Sequence, residues 1–221
     1  HIRFGSFEFF PYNGKGKNLE RLLEFSIHSY YPDIIEESDK YRVFFQRTVQ
    51  RTAKLIAKWQ AVGFIHGVMN TDNMCITGTT FDYGPYGFMD RFAPKYTSNH
   101  SDTHGRYAYS QQPEIGFWNL NKLAETLTPL IGAETLEEEM KQYQRTFNQF
   151  YREEMSKKLG LSILDSQFSQ LVQEMFHLLH NQQLDYTNFF RFLANYPAAS
   201  SSDNDLKSWL SRYLELAQRE G

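Results

Sequence analysis

His66-Gly67-Val68-Met69-Asn70-Thr71-Asp72-Asn73 and, a short way on, Phe81-Asp82-Tyr83-Gly84 decide the fold of this chain. Asn73 and Asp82 are residue types whose side-chain oxygens hold a hard divalent cation. Between them, Met74-Cys75-Ile76 and Thr79-Thr80-Phe81 flank Thr77-Gly78, the pattern of a tight hairpin that would aim both ligands at one ion. Singly, the pieces are ordinary. An Asp-Asn pair in a turn usually serves as a structural Asx motif, and a lone His more often bonds backbone than catalyses. Their joint order carries the metal-site reading, because it follows directly on an amphipathic helix. That helix is expected from about Asp39 to Val62, with Tyr41, Phe44, Phe45, Thr48, Thr52, Leu55, Ile56 and Trp59 as its core-facing stripe and Gly63 as its C-terminal cap.

Working outward, Asn13-Gly14-Lys15-Gly16-Lys17 reads as a turn, after which Asn18 caps a helix running to about Tyr31. His1 to Glu8 reads as the middle of a strand or turn, as if the chain began inside a longer protein. Downstream, Arg91 to Ile115 reads as a long polar loop. Helical spacing then resumes at about Phe117–Ile131, Leu136–Leu159, Asp165–Asn181, Tyr186–Tyr196 and Asp205–Arg219, with Ala198 to Asn204 as a polar linker.

Composition narrows the function classes. The 221 residues are 41% hydrophobic and 16% aromatic, enough for one buried core or one large lobe. A net charge of −3, with the cations dispersed, gives no electrostatic footprint for nucleic acid. No apolar run approaches the ~18 residues of a membrane span, and the start lacks the pattern of a signal peptide. Cys75 is the single cysteine, which excludes an internal disulfide and reads as a small buried side chain. His100 and His104 lack partners at zinc spacing.

Two helices, an Asp- and Asn-rich hairpin segment, a long polar loop and further helices follow the order of a protein-kinase-like C-lobe. That predicts a mainly α fold with a short β-hairpin carrying the metal-binding loop. In kinases the corresponding pattern is H-x-D-x-x-x-x-N followed by D-x-G. His66 and Asn73 have the right separation, but Val68 stands where the catalytic Asp should be and cannot accept a proton. Asp72, just before Asn73, is the carboxylate left to replace it.

The runs Val62 to Met74 and Asp82-Tyr83-Gly84-Pro85-Tyr86-Gly87-Phe88-Met89-Asp90 resemble the signature of the SelO/YdiU family. The resemblance continues through Asn99-His100-Ser101-Asp102, Gly105-Arg106-Tyr107, Gln112-Pro113 and Trp118-Asn119-Leu120, and includes Ile2-Arg3-Phe4-Gly5-Ser6-Phe7-Glu8. It is strong over residues 1–131 and beyond them persists only as helical pattern. It implies a kinase-like fold that binds ATP in a flipped orientation and transfers AMP to Ser, Thr or Tyr hydroxyls of proteins. By motif match, Asn73 and Asp82 would be ligands of Mg²⁺ (or Mn²⁺), Asp72 the substitute general base or an orienter of the metal, and Arg3 a contact to the ATP phosphates. A cysteine common in the family just before the Asn-His-Ser-Asp run is Ser98 here.

The expected organisation is a single C-lobe fragment: an entry strand or turn over 1–12, a catalytic core over 13–131 and a helical C-terminal part over 132–221. Alone, it is expected to be inactive for want of the other half of the ATP cleft. The expected setting is cytoplasmic in a bacterium or mitochondrial in a eukaryote, with no nucleic-acid or membrane partner. His100, Asp102 and Arg106 either shape the substrate or phosphate side of the site or hold their loop against the lobe. A catalytically dead pseudokinase scaffold and a small-molecule kinase stand as alternatives, the first motivated by Val68 and the second opposed by it.

Overall fold

Phe44, Phe45, Thr48, Val49, Thr52, Ala53, Ile56 and Ala57 recur at three- and four-residue spacing, and all are buried. In the computed structural model, which describes residues 1–12, 16–162, 165–196 and 203–219, they form the inner face of helix α3 (Lys40–Val62). The fold is mainly α-helical. Before α3 come α1 (Phe4–Tyr12) and α2 (Gly16–Tyr30). After it come two short strands, β1 (Phe64–Ile65) and β2 (Gly87–Phe88), then α4 (Gln112–Ile131), α5 (Ala133–Leu159), α6 (Ser166–Asn181), α7 (Tyr186–Ala194) and α8 (Asn204–Gln218). No helix among the described residues is long and apolar enough to cross a membrane.

The central helices match their sequence pattern, and the ends differ for physical reasons. The chain enters with a strand-like contact, since Phe4 N donates to Met74 O at 2.9 Å and Ile76 N to Ile2 O at 3.1 Å around an Arg3–Cys75 bridge. From Phe4 onward, however, it is helical, which corrects the strand-or-turn expectation for residues 1–12. Phe4 and Phe7, one turn apart, are fully buried, and a helix is what puts both on one face. Helix α2 starts at Gly16, so Asn18 lies inside it rather than capping it; Asn13 to Lys15 of the expected turn lie outside the described residues. Helix α4 starts at Gln112 rather than near Phe117, with Pro113 in its first turn, where no backbone donor is needed. Of the expected linker, residues 198–202 lie outside the described residues.

Two apolar clusters meet along α5. The first gathers α1 to α4 and the N-terminal part of α5; the second gathers the end of α5 with α6, α7 and α8, and Tyr151 packs against both. Tyr186, at the start of α7, ties the second cluster to the middle of the chain. Its hydroxyl donates to Ala61 O at 2.9 Å, its backbone N donates to Asp90 O at 2.6 Å, and its ring lies against Gly63. Lys158 Nζ also donates to Ala61 O, at 2.7 Å, and sits 4.3 Å from the centre of the Tyr186 ring. Burial pulls its pKa down to about 8.

Close approach in the first cluster depends on Gly116. A Cβ there would collide with Ile56 Cδ1 and lie 2.8 Å from Tyr143 Oη, whose hydroxyl donates to Pro113 O. Gly116→Ala is therefore expected to cost about 1–3 kcal/mol through overpacking, despite the better helix propensity of alanine. Urea unfolding checks this as a lower midpoint at unchanged slope; an unchanged midpoint would show that α4 moves aside freely.

Candidate active site

Gly63, with φ +70°, ends α3 and turns the chain into β1, which pairs antiparallel with β2 in the register Phe64↔Phe88 and Ile65↔Gly87. This sheet lies outside the Met74–Phe81 hairpin, where the sequence pattern put it. The hairpin itself has one bridge, Met74↔Thr80, closed by Gly78 at φ +71° with its Cα packed on Arg51. Gln112 of α4 extends the frame: its Nε2 donates to Phe64 O and its Oε1 accepts from His66 N, both at 2.9 Å.

His66 is fully buried and joins the two candidate metal-binding stretches. Val68 N donates to its Nδ1 at 3.3 Å, which places the ring proton on Nε2. Nε2 then faces Thr80 Oγ1 at 2.6 Å and Phe81 O at 3.1 Å, while the Thr80 hydroxyl donates to Asn73 O at 2.7 Å. Burial lowers the His66 pKa, opposed in part by its bond to Phe81 O and by the nearby charge of Asp82. The ring is a structural relay, and the Tyr83 ring stacks on it at 6.1 Å.

Asn73 ends a 3₁₀ turn (Thr71–Asn73) capped by Asn70, whose Oδ1 accepts from Asn73 N at 3.1 Å. Its side chain is buried and oriented, with Nδ2 donating to Val68 O at 2.8 Å. The amide N is thus committed to the protein, and Oδ1 is turned to the other side. Val68 contributes both its backbone groups here, so its side chain is free to be apolar. From α4, Asn119 Nδ2 braces Met69 O at 2.9 Å.

Asp82 sits at φ +52°, in the left-handed region that non-glycine residues seldom adopt, Asp more readily than most, and its surroundings hold it there. Phe81 supplies them: its N donates to Asn73 O at 3.2 Å and its O is held by His66. Asp72 projects at the start of α1, where a Cβ on Gly5 would collide with its carboxylate. Arg3 places its guanidinium 4.9 Å from the centre of the Phe81 ring. The structure therefore brings Arg3, Asp72, Asn73 and Asp82 to one frame. Asn70, Thr80, Gln112 and Asn119 were missed as its supports; Asn70 alone carried a local signal, as a residue type that caps.

In the loop after β2, Asp102 accepts from Arg106 N at 2.9 Å and Tyr107 N at 2.7 Å, and Asn99 Nδ2 reaches Gly67 O at 3.1 Å. Asp102 thus holds the loop, whereas His100 and Arg106 are exposed.

The model of the family described as protein adenylyltransferase SelO matches residues 1–219 of this chain. The chain belongs to the SelO family. Among its SelO relatives are proteins named protein nucleotidyltransferase YdiU from Aliivibrio salmonicida, Vibrio cholerae and Vibrio vulnificus, respectively 43%, 44% and 45% identical over all of this chain. The alignments cover 47%, 47% and 46% of those relatives, so the chain spans about half of their length.

As a cation site in a SelO chain, the donor set is short but chemically suitable. Among the described residues, no three His, Cys, Asp or Glu side chains converge on one point. Mg²⁺ needs fewer from the protein, because waters and substrate phosphates complete its shell. The oxygens required fit: Asn73 Oδ1 and the carboxylates of Asp72 and Asp82 accept no hydrogen bond from another described residue.

The frame has a pH dependence. A His whose folded pKa lies below its ordinary 6.5 stays neutral while the unfolded chain takes up a proton, so stability falls as pH drops through about 6.5 toward the folded value. His66→Gln is expected to lower stability at neutral pH yet to flatten this part of the slope. Urea titrations of both proteins between about pH 7 and about pH 5 check it, and parallel slopes would mean that His66 protonates without cost.

Proposed function

We propose that the full-length protein is a Mg²⁺-dependent protein adenylyltransferase that moves AMP from ATP to Ser, Thr or Tyr hydroxyls of proteins. The observation that carries this is the frame itself: a carboxamide oxygen and two carboxylates that accept no hydrogen bond from another described residue, beside an exposed cationic group. Asn73 Oδ1 and Asp82 are the metal ligands, one fixed by the Val68 carbonyl and the other by the left-handed turn after Phe81. Bound Mg²⁺ supplies charge neutralisation at the phosphates. Arg3 adds a further positive charge for the departing pyrophosphate. Asp72, exposed and adjacent to Asn73, takes the proton of the acceptor hydroxyl as that oxygen bonds to the α-phosphorus and the bond to pyrophosphate breaks.

The SelO family description supports this choice over transfer of the terminal phosphate, and Val68 gives the scaffold alternative its one point in favour. ATP labelled at the α or the γ phosphate separates the readings. With the full-length protein, Mg²⁺ and a protein acceptor, label is expected on protein from the α position alone. Asp82→Ala and Asn73→Ala should abolish transfer, and Asp72→Asn should lower kcat by about 10²–10⁴-fold with little change in nucleotide affinity. Label from the γ position would make the protein a kinase; label from neither, with ATP still bound, would make it a scaffold.

A further inference from the structure

Outside the frame just described, two cations converge on one indole. Trp118, on α4, is 39% exposed despite its size. The Arg106 guanidinium lies 4.7 Å from the centre of its ring and Lys122 Nζ lies 5.6 Å from it. Tyr107 adds a second ring, 5.7 Å from the same guanidinium. Of the two cations, Lys122 is neutralised by a carboxylate and Arg106 is not. Asp102 spends its carboxylate on the backbone N–H groups of Arg106 and Tyr107, and Glu125 pairs with Lys122. Arg106 itself makes no ion pair among the described residues.

The place matters as much as the charge. Trp118 precedes Asn119, whose side chain braces Met69 in the loop that carries Asp72 and Asn73. Arg106 lies in the loop that Asn99 fastens to Gly67, next to His66. Arg106 and Trp118 thus sit on the loop and helix whose neighbouring residues, Asn99 and Asn119, fasten the segment that carries Asp72 and Asn73. On a chain of net charge −3, a single guanidinium without an ion-pair partner suits one carboxylate better than a polyanion such as nucleic acid. A guanidinium already laid on an aromatic face gives up little further freedom when an anion arrives.

We propose that Arg106, presented by Trp118 with Lys122 beside it, selects protein acceptors that carry an acidic side chain near the modified hydroxyl. This rests on the protein-acceptor reading above and adds the class of segment accepted.

The test uses the full-length protein and fluorescein-labelled peptides centred on one Ser, with Glu at each flanking position in turn, beside a matched set with Gln. Fluorescence anisotropy measures binding and α-labelled ATP measures transfer. At one flanking position, Glu is expected to tighten binding roughly fivefold at low salt, the scale of an exposed charge pair. Arg106→Gln should erase that preference and leave the Gln peptides unchanged; Arg106→Glu should turn it toward a Lys-bearing set. Equal binding of the Glu and Gln sets by the parent protein would overturn the proposal, as would an Arg106→Gln effect of equal size on both sets. Discriminating binding without transfer of label would uphold the selection and sink the adenylyltransferase reading instead.

Discussion

A buried neutral imidazole is the constraint on which the site depends. His66 accepts a hydrogen bond from Val68 N on one side and presents its N–H to Thr80 and Phe81 on the other. Only the uncharged ring has both an acceptor and a donor, and burial keeps it uncharged. Through it, the loop carrying Asn73 and the segment leading to Asp82 hold a fixed separation without a strand ladder. Regular structure in these segments is limited to one 3₁₀ turn and one bridge, so side chains satisfy much of the remaining backbone. Asn70, Asn73, Thr80, Gln112 and Asn119 each bond to a main-chain group in or beside these segments. Of these side-chain atoms only Asn119 Oδ1 is buried without a hydrogen-bond partner among the described residues, and a network so largely satisfied favours one geometry over several.

How much of this was legible follows from the range of each interaction. Helix α3 and its glycine cap were legible because the stripe repeats over many turns and Gly63 is the one residue type that enters the left-handed region freely. Helix α1 was not, since Phe4 and Phe7 give only one turn of pattern and Ile2 to Phe4 do make a strand-like contact. At the candidate site, Asp72, Asn73 and Asp82 were singled out by type and spacing, and Arg3 by resemblance. Gln112 and Asn119 act across dozens of residues from α4, and no local pattern distinguishes a bracing amide from one facing water. The loop of Asp102 was open between two readings, and the geometry divides it: Asp102 is structural, while Arg106 points outward.

Val68 serves the frame through its backbone rather than its side chain. Both its backbone groups are bonded, one to His66 and one to Asn73, so any residue that keeps the conformation serves there. The carboxylate proposed to act in its stead is Asp72, within the 3₁₀ turn and against the first turn of α1. That location suits Gly5: a Cβ there would force the exposed Asp72 carboxylate out of its present position.

The Tyr186 clasp on the end of α3 bears on the order in which the molecule takes shape. The hydrogen bonds of the His66 relay join residues no more than 15 apart in sequence, whereas Tyr186 reaches Ala61 across 125. Loop closure makes the second kind of contact the slower to form, and during synthesis it must wait until α7 has left the ribosome. The emerging polypeptide thus passes through a stage in which the relay has all its residues but the turn at Gly63 still lacks its outer restraint. The seating of α7 is then the step that turns a locally ordered loop into a rigid one.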